Sequence, residues 1–183
     1  MLPLDLAVSR WMADHQDFSA RRFFLTVTYL CTGPVFVALT MLTAAGLWLY
    51  RRRLESALFM GGIALTGGAV HILKILTVRV RPEGAALLHE TGGSFPSGHA
   101  AFSLFFFGFL AYLLSRQVKG RPCRILICAA ALLIAGVIGA SRIYLNAHWV
   151  SDVLGGFVLA AAFLSLFTGF SGMRRDPEQG GER

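Results

Sequence analysis

The residues of this sequence that could carry out chemistry lie in three short runs, each beside an apolar stretch. They are two cations, a serine-glycine-histidine run, a further arginine, and a histidine with a carboxylate four positions on: Lys74, Arg81, Ser97, Gly98, His99, Arg142, His148 and Asp152. Basic side chains and the free amides of a helix N-terminus bind phosphate or sulfate. A histidine oriented by a carboxylate supplies a neutral nitrogen lone pair. Phosphoryl transfer needs these parts: charge clamps, a nucleophile and an acid for the leaving group.

The spacing within each run predicts how these side chains meet. Lys74 and Arg81 are seven residues apart, which is two helical turns, so both project from one face if the helix persists. Ser97 can cap a helix that begins after it, and the following glycine lets backbone N–H groups approach a ligand. His148 and Asp152 occupy positions i and i+4 of one predicted helix, where the carboxylate can accept from a ring nitrogen.

The rest of the sequence predicts the elements that hold these residues. It is 55% hydrophobic and 15% charged, with a mean hydropathy of +0.61, whereas soluble domains are about 45–50% apolar and about a quarter charged. Five stretches are nearly free of charge, and each is long enough to cross a bilayer: 23–50, 54–73, 99–115, 123–140 and 153–170. We therefore expect an all-α integral membrane bundle of about five transmembrane helices, and not a disordered chain or a soluble DNA-binding domain.

The net charge of +7 predicts an orientation. Ten of the 17 basic residues lie at 51–53, 116–124 and 174–183, which are alternate connections or ends of the predicted spans. By the positive-inside rule these segments face the cytoplasm. The N-terminus and the candidate site then face outward, and the positive charge is explained without a nucleic acid partner.

The chain divides into three predicted parts. Residues 1–20 alternate apolar and polar side chains and predict an amphipathic interfacial helix. Residues 21–171 form the membrane domain, in which Gly33 and Pro34 offer a kink or a start point inside the first long span. Residues 172–183 carry no apolar run and predict a disordered cytoplasmic tail. Small residues of the second span are expected to let helices approach closely: Gly61, Gly62, Gly67 and Gly68.

Segment 77–98 is the longest polar interruption and is expected to be more loop than helix. Its His89 and Glu90 are two adjacent ligands, too few for a metal site. Arg79, outside the spacing pattern above, is expected either to assist a phosphate site or to bind lipid head groups. His71 is expected to pack or to support the site indirectly.

The three runs together resemble the three-part motif of the type 2 phosphatidic acid phosphatase (PAP2) family. The matching residues are Lys74-x6-Arg81-Pro82, Pro96-Ser97-Gly98-His99 and Ser141-Arg142-x5-His148-x3-Asp152. The resemblance implies that His148 attacks phosphorus and that Asp152 holds its reactive tautomer. It further implies that His99 acts as general acid and then as base. Lys74, Arg81 and Arg142 would hold the phosphate oxygens, helped by Ser97 and Gly98.

The resemblance implies a phosphatase that uses no metal and no other cofactor. Asp152 is the only carboxylate in the three motifs, which is too few for a dedicated Mg²⁺ site. Lipid phosphatases of this family often have six spans where five are predicted here, with the amphipathic segment standing in the place of the additional one.

The implied function is hydrolysis of a lipid phosphate or pyrophosphate at the outer leaflet of a bacterial cytoplasmic (inner) membrane. Candidate substrates are undecaprenyl pyrophosphate or another polyprenyl pyrophosphate, phosphatidic acid and phosphatidylglycerol phosphate. A lipid phosphotransferase using the same site is the first alternative, and a non-catalytic lipid-phosphate binding or transport protein is the second. A haloperoxidase is disfavoured by the membrane setting. The partners expected are the lipid substrate and the bilayer, and a homo-oligomer is left open.

Overall fold

The computed structural model of the protein describes residues 2–83 and 92–173. Within those ranges it is helical, with seven helices: α1 (Pro3–Asp14), α2 (Phe18–Tyr29), α3 (Gly33–Leu49), α4 (Arg53–Thr77), α5 (Gly98–Ser115), α6 (Arg121–Tyr144) and α7 (Val150–Met173). Helix α5 contacts α4, α6 and α7 and forms the centre of the bundle. The predicted all-α class is confirmed.

The number of apolar spans also agrees with the prediction. Helices α4, α5, α6 and α7 are each long and apolar enough to cross a membrane, and α2 with α3 makes a fifth span if the two form one broken helix. These two helices meet at 46°. The break falls where the sequence offered it, since α3 begins at Gly33 with Pro34 in its first turn, a position where the missing proline N–H is harmless.

The N-terminal segment is helical and has two unlike faces. Leu2, Leu4 and Trp11 are exposed, whereas Asp5 on the same helix is buried. Helix α1 contacts α6 and α7. It ends at Asp14, and Asp17 caps α2 by accepting from the Ala20 N–H, so α2 begins inside the predicted interfacial segment 1–20.

The core shows where small residues matter. A Cβ at Gly62 would fall within the ring of Phe105, whereas one at Gly68 would meet no atom within 4 Å. A Cβ at Gly67 would lie 3.2 Å from Phe102, and one at Gly61 would make ordinary contact with Phe167. Close approach of α4 to α5 therefore depends on Gly62, and the expectation that all four glycines serve this purpose was wrong for Gly68, which faces open space.

One condition set by the spacing is not met, and one local prediction about helix extent was wrong. Helix α4 does not persist to Arg81: it ends at Thr77, and Val78 adopts a left-handed conformation with φ of 42°. The proline after Arg81 further disfavours helix at that arginine. His148 is not on a helix, because α7 begins at Val150.

The candidate site residues share one end of the bundle. The Ser97 N–H at the start of α5 donates to the Asp152 carbonyl in the first turn of α7, at 2.9 Å. The Ala147 and His148 N–H groups donate to the Arg142 carbonyl in the last turn of α6, at 3.0 and 3.2 Å. Residues His89 and Glu90 and the tail from 174 onward lie outside the described residues, and α7 includes the first two residues of the predicted tail.

Candidate active site

The carboxylate of Asp152 is the centre of the site's hydrogen bonding. It is wholly buried, and its Oδ2 accepts from the Ser94 hydroxyl at 2.6 Å and from the Trp149 N–H at 2.9 Å. His148 Nδ1 lies 3.4 Å from the same oxygen. The expected contact between these two side chains is present, although His148 reaches it from the turn before α7.

A second contact defines the state of the His148 ring. Nη1 of Arg81 lies 3.2 Å from His148 Nε2. A guanidinium has donors only, so Nε2 accepts and the ring proton is on Nδ1, facing Asp152. The imidazole is therefore held as the neutral tautomer with its lone pair on Nε2.

The electrostatics of His148 agree with that tautomer. Burial lowers the pKa of the imidazole from 6.5 to about 4; the hydrogen bond with Asp152 opposes the shift, and the charges of Arg81, Arg142 and Lys74 reinforce it. The ring is thus neutral at physiological pH, which leaves Nε2 able to act as a nucleophile.

Three cations surround this nitrogen, each tied to the protein by neutral oxygens. Lys74 Nζ donates to the Gly93 carbonyl at 2.6 Å, and Arg81 donates to the carbonyls of Gly92 at 3.1 Å and Ala147 at 3.2 Å. Arg142, 2% exposed, donates to the Thr28 hydroxyl on α2 at 2.8 Å. An incoming anion can exchange for these carbonyl contacts, because charge-assisted bonds to anionic oxygens are stronger than those to neutral ones.

The start of α5 completes the site. Ser97 is buried and caps the helix, with its hydroxyl accepting from the Ala100 N–H at 3.5 Å. Gly98 is the first helical residue, so its free N–H lies at the positive end of the helix dipole. His99 follows, and its buried Nε2 has no hydrogen-bond partner among the described residues. Arg142, His148, Arg81 and Lys74 all lie within electrostatic range of His99.

An apolar groove adjoins the site. A cavity of about 480 Å³ lies between α3, α4 and α5, and its lining includes Phe36, Met60, Gly68, Phe102 and, at the site, His99. This volume is within the range of about 300–1,000 Å³ that is usual for ligand pockets. The groove can therefore hold an apolar group beside the polar site.

The structure brings together all eight residues that the sequence singled out, and it adds others. Ser94 was not predicted, and its position three residues before Ser97, next to the serine-glycine-histidine run, is the weak signal that could have found it. Asp5 and Arg79 form ion pairs at the back of Asp152, and nothing in the local sequence signals that Asp5 takes part. His71 is exposed on α4. Within the described ranges no group of three His, Cys, Asp or Glu residues could hold a metal ion.

Comparison with known proteins gives three consistent matches. The family model described as the PAP2 superfamily matches residues 55–176. Phosphatidylglycerophosphatase B of Bacillus subtilis (strain 168) is 34% identical over 148 residues, which is 79% of this chain and 71% of that protein. Dolichyldiphosphatase 1 of Homo sapiens is 31% identical over 155 residues, which is 75% of this chain and 63% of that protein.

The fold has a close counterpart among solved structures. The crystal structure of a transmembrane PAP2 type phosphatidylglycerolphosphate phosphatase from Bacillus subtilis superposes with a TM-score of 0.85 at 29% sequence identity. The match covers 94% of this chain and 86% of that chain. The likeness thus extends over nearly the whole of the helical bundle.

Proposed function

The chain belongs to the PAP2 superfamily of phosphatases, and from that premise we propose that it hydrolyses a lipid phosphate or diphosphate through a phosphohistidine at His148. The observation that carries the proposal is the His148 imidazole, held between Asp152 at Nδ1 and Arg81 at Nε2. A site that only bound phosphate would not need an oriented nitrogen lone pair among its cations.

The first step transfers the phosphoryl group to the protein. The phosphate enters among Lys74, Arg81 and Arg142, and Arg81 moves from His148 Nε2 to a phosphate oxygen. The freed lone pair attacks phosphorus, so that an N–P bond forms as the bond to the leaving oxygen breaks with its electron pair. Asp152 stabilises the positive charge that develops on the ring.

His99 is proposed to deliver the proton to the leaving oxygen. In the absence of substrate the three cations Arg142, Arg81 and Lys74 lie within electrostatic range of this ring. The negative charges of the bound phosphate offset those cations, so the protonated ring is stabilised once substrate is present. Its Nε2, unpaired among the described residues, then has the leaving oxygen as its partner.

The second step regenerates the enzyme. A water molecule attacks phosphorus while His99 accepts its proton, and the N–P bond breaks with its electron pair returning to Nε2. Inorganic phosphate leaves as Arg81 returns to the imidazole. The cations, the Ser97 hydroxyl and the Gly98 N–H hold the equatorial oxygens in both steps.

The groove beside His99 supports a lipid substrate. Its walls are mostly apolar and run between membrane-spanning helices, so a tail can lie there while its phosphate reaches His148. The similarity to phosphatidylglycerophosphatase B favours phosphatidylglycerol phosphate as the first substrate to test. The similarity to dolichyldiphosphatase 1 makes a polyprenyl diphosphate the second.

The distribution of basic residues supports an outer location for the proposed reaction. Arg51 and Arg52 lie between α3 and α4, and Arg53 is the first residue of α4. Arg116 and Lys119 lie between α5 and α6, and Arg121 is the first residue of α6. Both connections are at the end of the bundle opposite the site. A cytoplasmic location for them puts His148 at the outer leaflet of a bacterial cytoplasmic membrane.

The proposal is tested by measuring phosphate release from a panel of phosphatidylglycerol phosphate, phosphatidic acid and polyprenyl diphosphates in detergent. We expect release by the wild type and loss of release in His148→Ala and His99→Ala. Full activity of folded His148→Ala would contradict the mechanism, and a labelled phosphoryl group found on a lipid acceptor instead of water would support the phosphotransferase.

A matched pair of glycine variants tests the groove. Gly68 lines the groove and Gly136 on α6 does not, and a Cβ at either would meet no atom within 4 Å. Gly68→Leu is expected to raise KM for long-chain substrates more than for short-chain ones, whereas Gly136→Leu should leave both unchanged. Equal effects of the two variants would contradict tail binding in the groove.

A further inference from the structure

A second charged cluster contacts the Asp152 carboxylate at the oxygen that does not face His148. Arg79 Nη1 donates to Asp152 Oδ1 at 2.7 Å, while its Nη2 donates to Asp5 Oδ2, also at 2.7 Å. Asp5 is on α1, and its side chain is 1% exposed. Continuous polar contacts therefore connect the N-terminal helix with the carboxylate that orients His148.

Ser151 closes this cluster into a compact unit. Its N–H donates to Asp5 Oδ1 at 3.0 Å, its hydroxyl donates to Asp5 Oδ2 at 2.7 Å, and Arg79 Nη1 lies 2.8 Å from the same hydroxyl. Both Asp5 oxygens are thus occupied by donors. Burial alone would raise the pKa of Asp5, but the hydrogen bonds from Ser151 and Arg79 outweigh it and hold the pKa below its usual range.

The geometry of a guanidinium makes this arrangement directional. Its donors form a rigid planar fork, so anchoring Nη2 on Asp5 also fixes where Nη1 points. Nη1 in turn fixes Oδ1 of Asp152, and with it the plane of the carboxylate. The other oxygen of that plane, Oδ2, is the one that meets the His148 ring.

The charges in the cluster are also balanced. One guanidinium lies between two carboxylates, with Asp5 and Asp152 at opposite ends of its fork. Without Asp5, the whole charge of Arg79 would act on Asp152 and weaken it as an acceptor for His148. Asp5 thus preserves both the strength and the direction of the contact between Asp152 and His148.

We propose that Asp5 and Arg79 are positioning residues, which act on His148 through Asp152 without touching the substrate. The inference rests on the proposed function, because only a nucleophilic His148 needs this orientation. Arg79 was expected either to assist a phosphate site or to bind lipid head groups, and the positioning role replaces both. The Nη1 and Nη2 atoms of Arg79 are directed to Ser151, Asp152 and Asp5 instead of a phosphate or a head group.

The first test compares Asp5→Asn with Asp14→Asn, which removes an exposed carboxylate from the same helix. In either orientation the new amide places its NH₂ against a donor, either the Ser151 N–H or Arg79. We expect kcat of Asp5→Asn to fall by about 10-fold, the lower end of the effect found for groups that orient metal-ligating residues. KM should stay unchanged, and Asp14→Asn should match the wild type.

Inhibitors separate positioning from simple loss of folded protein. Orthovanadate mimics the trigonal-bipyramidal transition state and needs the His148 lone pair, whereas inorganic phosphate needs the cations. In Asp5→Asn the inhibition constant of vanadate is expected to rise about 10-fold while that of phosphate stays unchanged. Inhibition constants do not depend on the amount of folded enzyme, so they remain informative if a variant is unstable.

Arg79 supplies the second set of variants. Arg79→Gln should lower kcat more than Asp5→Asn does, Arg79→Lys should recover part of the loss, and adding Asp5→Asn to Arg79→Gln should cause no further loss. Equal vanadate constants in Asp5→Asn, Asp14→Asn and the wild type would overturn the inference, as would equal shifts for both inhibitors. These outcomes leave the proposed function intact as long as His148→Ala is inactive, whereas an active His148→Ala would refute that function first.

Discussion

Replacing Asp152 by asparagine tests the proposed mechanism at its most constrained point. The substitution keeps the size of the side chain and exchanges one acceptor for a donor. In the wild type every contact to this carboxylate comes from a donor: Arg79 at Oδ1, and Ser94, Trp149 and His148 at Oδ2. An asparagine amide therefore places its NH₂ against a donor in both of its orientations.

The size of the effect follows from the hydrogen bonds that the amide cannot make. If the amide NH₂ occupies the Oδ1 position, it opposes Arg79 Nη1, which donates there at 2.7 Å. If it occupies the Oδ2 position, it opposes the Trp149 N–H and forces the His148 proton from Nδ1 to Nε2, removing the lone pair. The first orientation removes one hydrogen bond to a charged group and costs about 1.5–3 kcal/mol, whereas the second removes two and costs about 3–6 kcal/mol, so the rate falls by about 10–10²-fold or about 10²–10⁴-fold.

The assay follows phosphate release from dioctanoyl phosphatidic acid in detergent, with rapid quenching at alkaline pH to trap the phosphohistidine. We expect kcat of Asp152→Asn to fall by at least about 10–10²-fold, the loss for the less costly orientation, and the trapped intermediate to decrease at early times. Asp14→Asn, an exposed residue outside the site, controls for the change in charge. Folded Asp152→Asn with activity within about threefold of the wild type, which is under 1 kcal/mol, would refute the reasoning.

Three further outcomes follow from the same structure. Because the pKa of His148 is lowered to about 4, its neutral form persists below pH 6.5, and kcat/KM should fall only as the pH approaches 4. A profile with its acid limb at 6.5, after correction for the second ionisation of the phosphate near pH 6, would contradict this. Phosphate release should be unchanged by EDTA; loss in EDTA and recovery with Mg²⁺ would show a required metal. Gly62→Ala should lower stability by about 1–3 kcal/mol through overpacking against Phe105, measured by thermal unfolding, while Gly68→Ala should not; equal melting temperatures would refute it.

The sequence predicted the spans and the residues that lie together at the candidate site because both depend on local features. Long apolar runs determine which segments can cross a bilayer, whatever their neighbours. The three motifs each place a charged or nucleophilic residue at the end of such a run, and antiparallel spans bring alternate ends together. His99 and His148 could therefore be assigned to one site without knowing how the helices pack.

The features that the sequence could not predict depend on contacts between distant segments. In the sequence Asp5 is one polar position of an amphipathic helix, but its partners Arg79 and Ser151 are 74 and 146 residues away. Gly62 and Gly68 look alike in the sequence, and only the position of Phe105 distinguishes them. The helix ends differed for a local reason, since the left-handed Val78 stops α4 before Arg81.

The helix ends also explain how a strongly cationic site can exist before a phosphate arrives. Lys74 and Arg142 are in the last turns of α4 and α6, and Asp152 is in the first turn of α7. Each charge has the sign that its helix dipole favours. In the proposed reaction, substrate binding exchanges carbonyl contacts for phosphate contacts while the side chains stay charged. Because little reorganisation is left for the reaction itself, the site can direct its electrostatic stabilisation to the transition state.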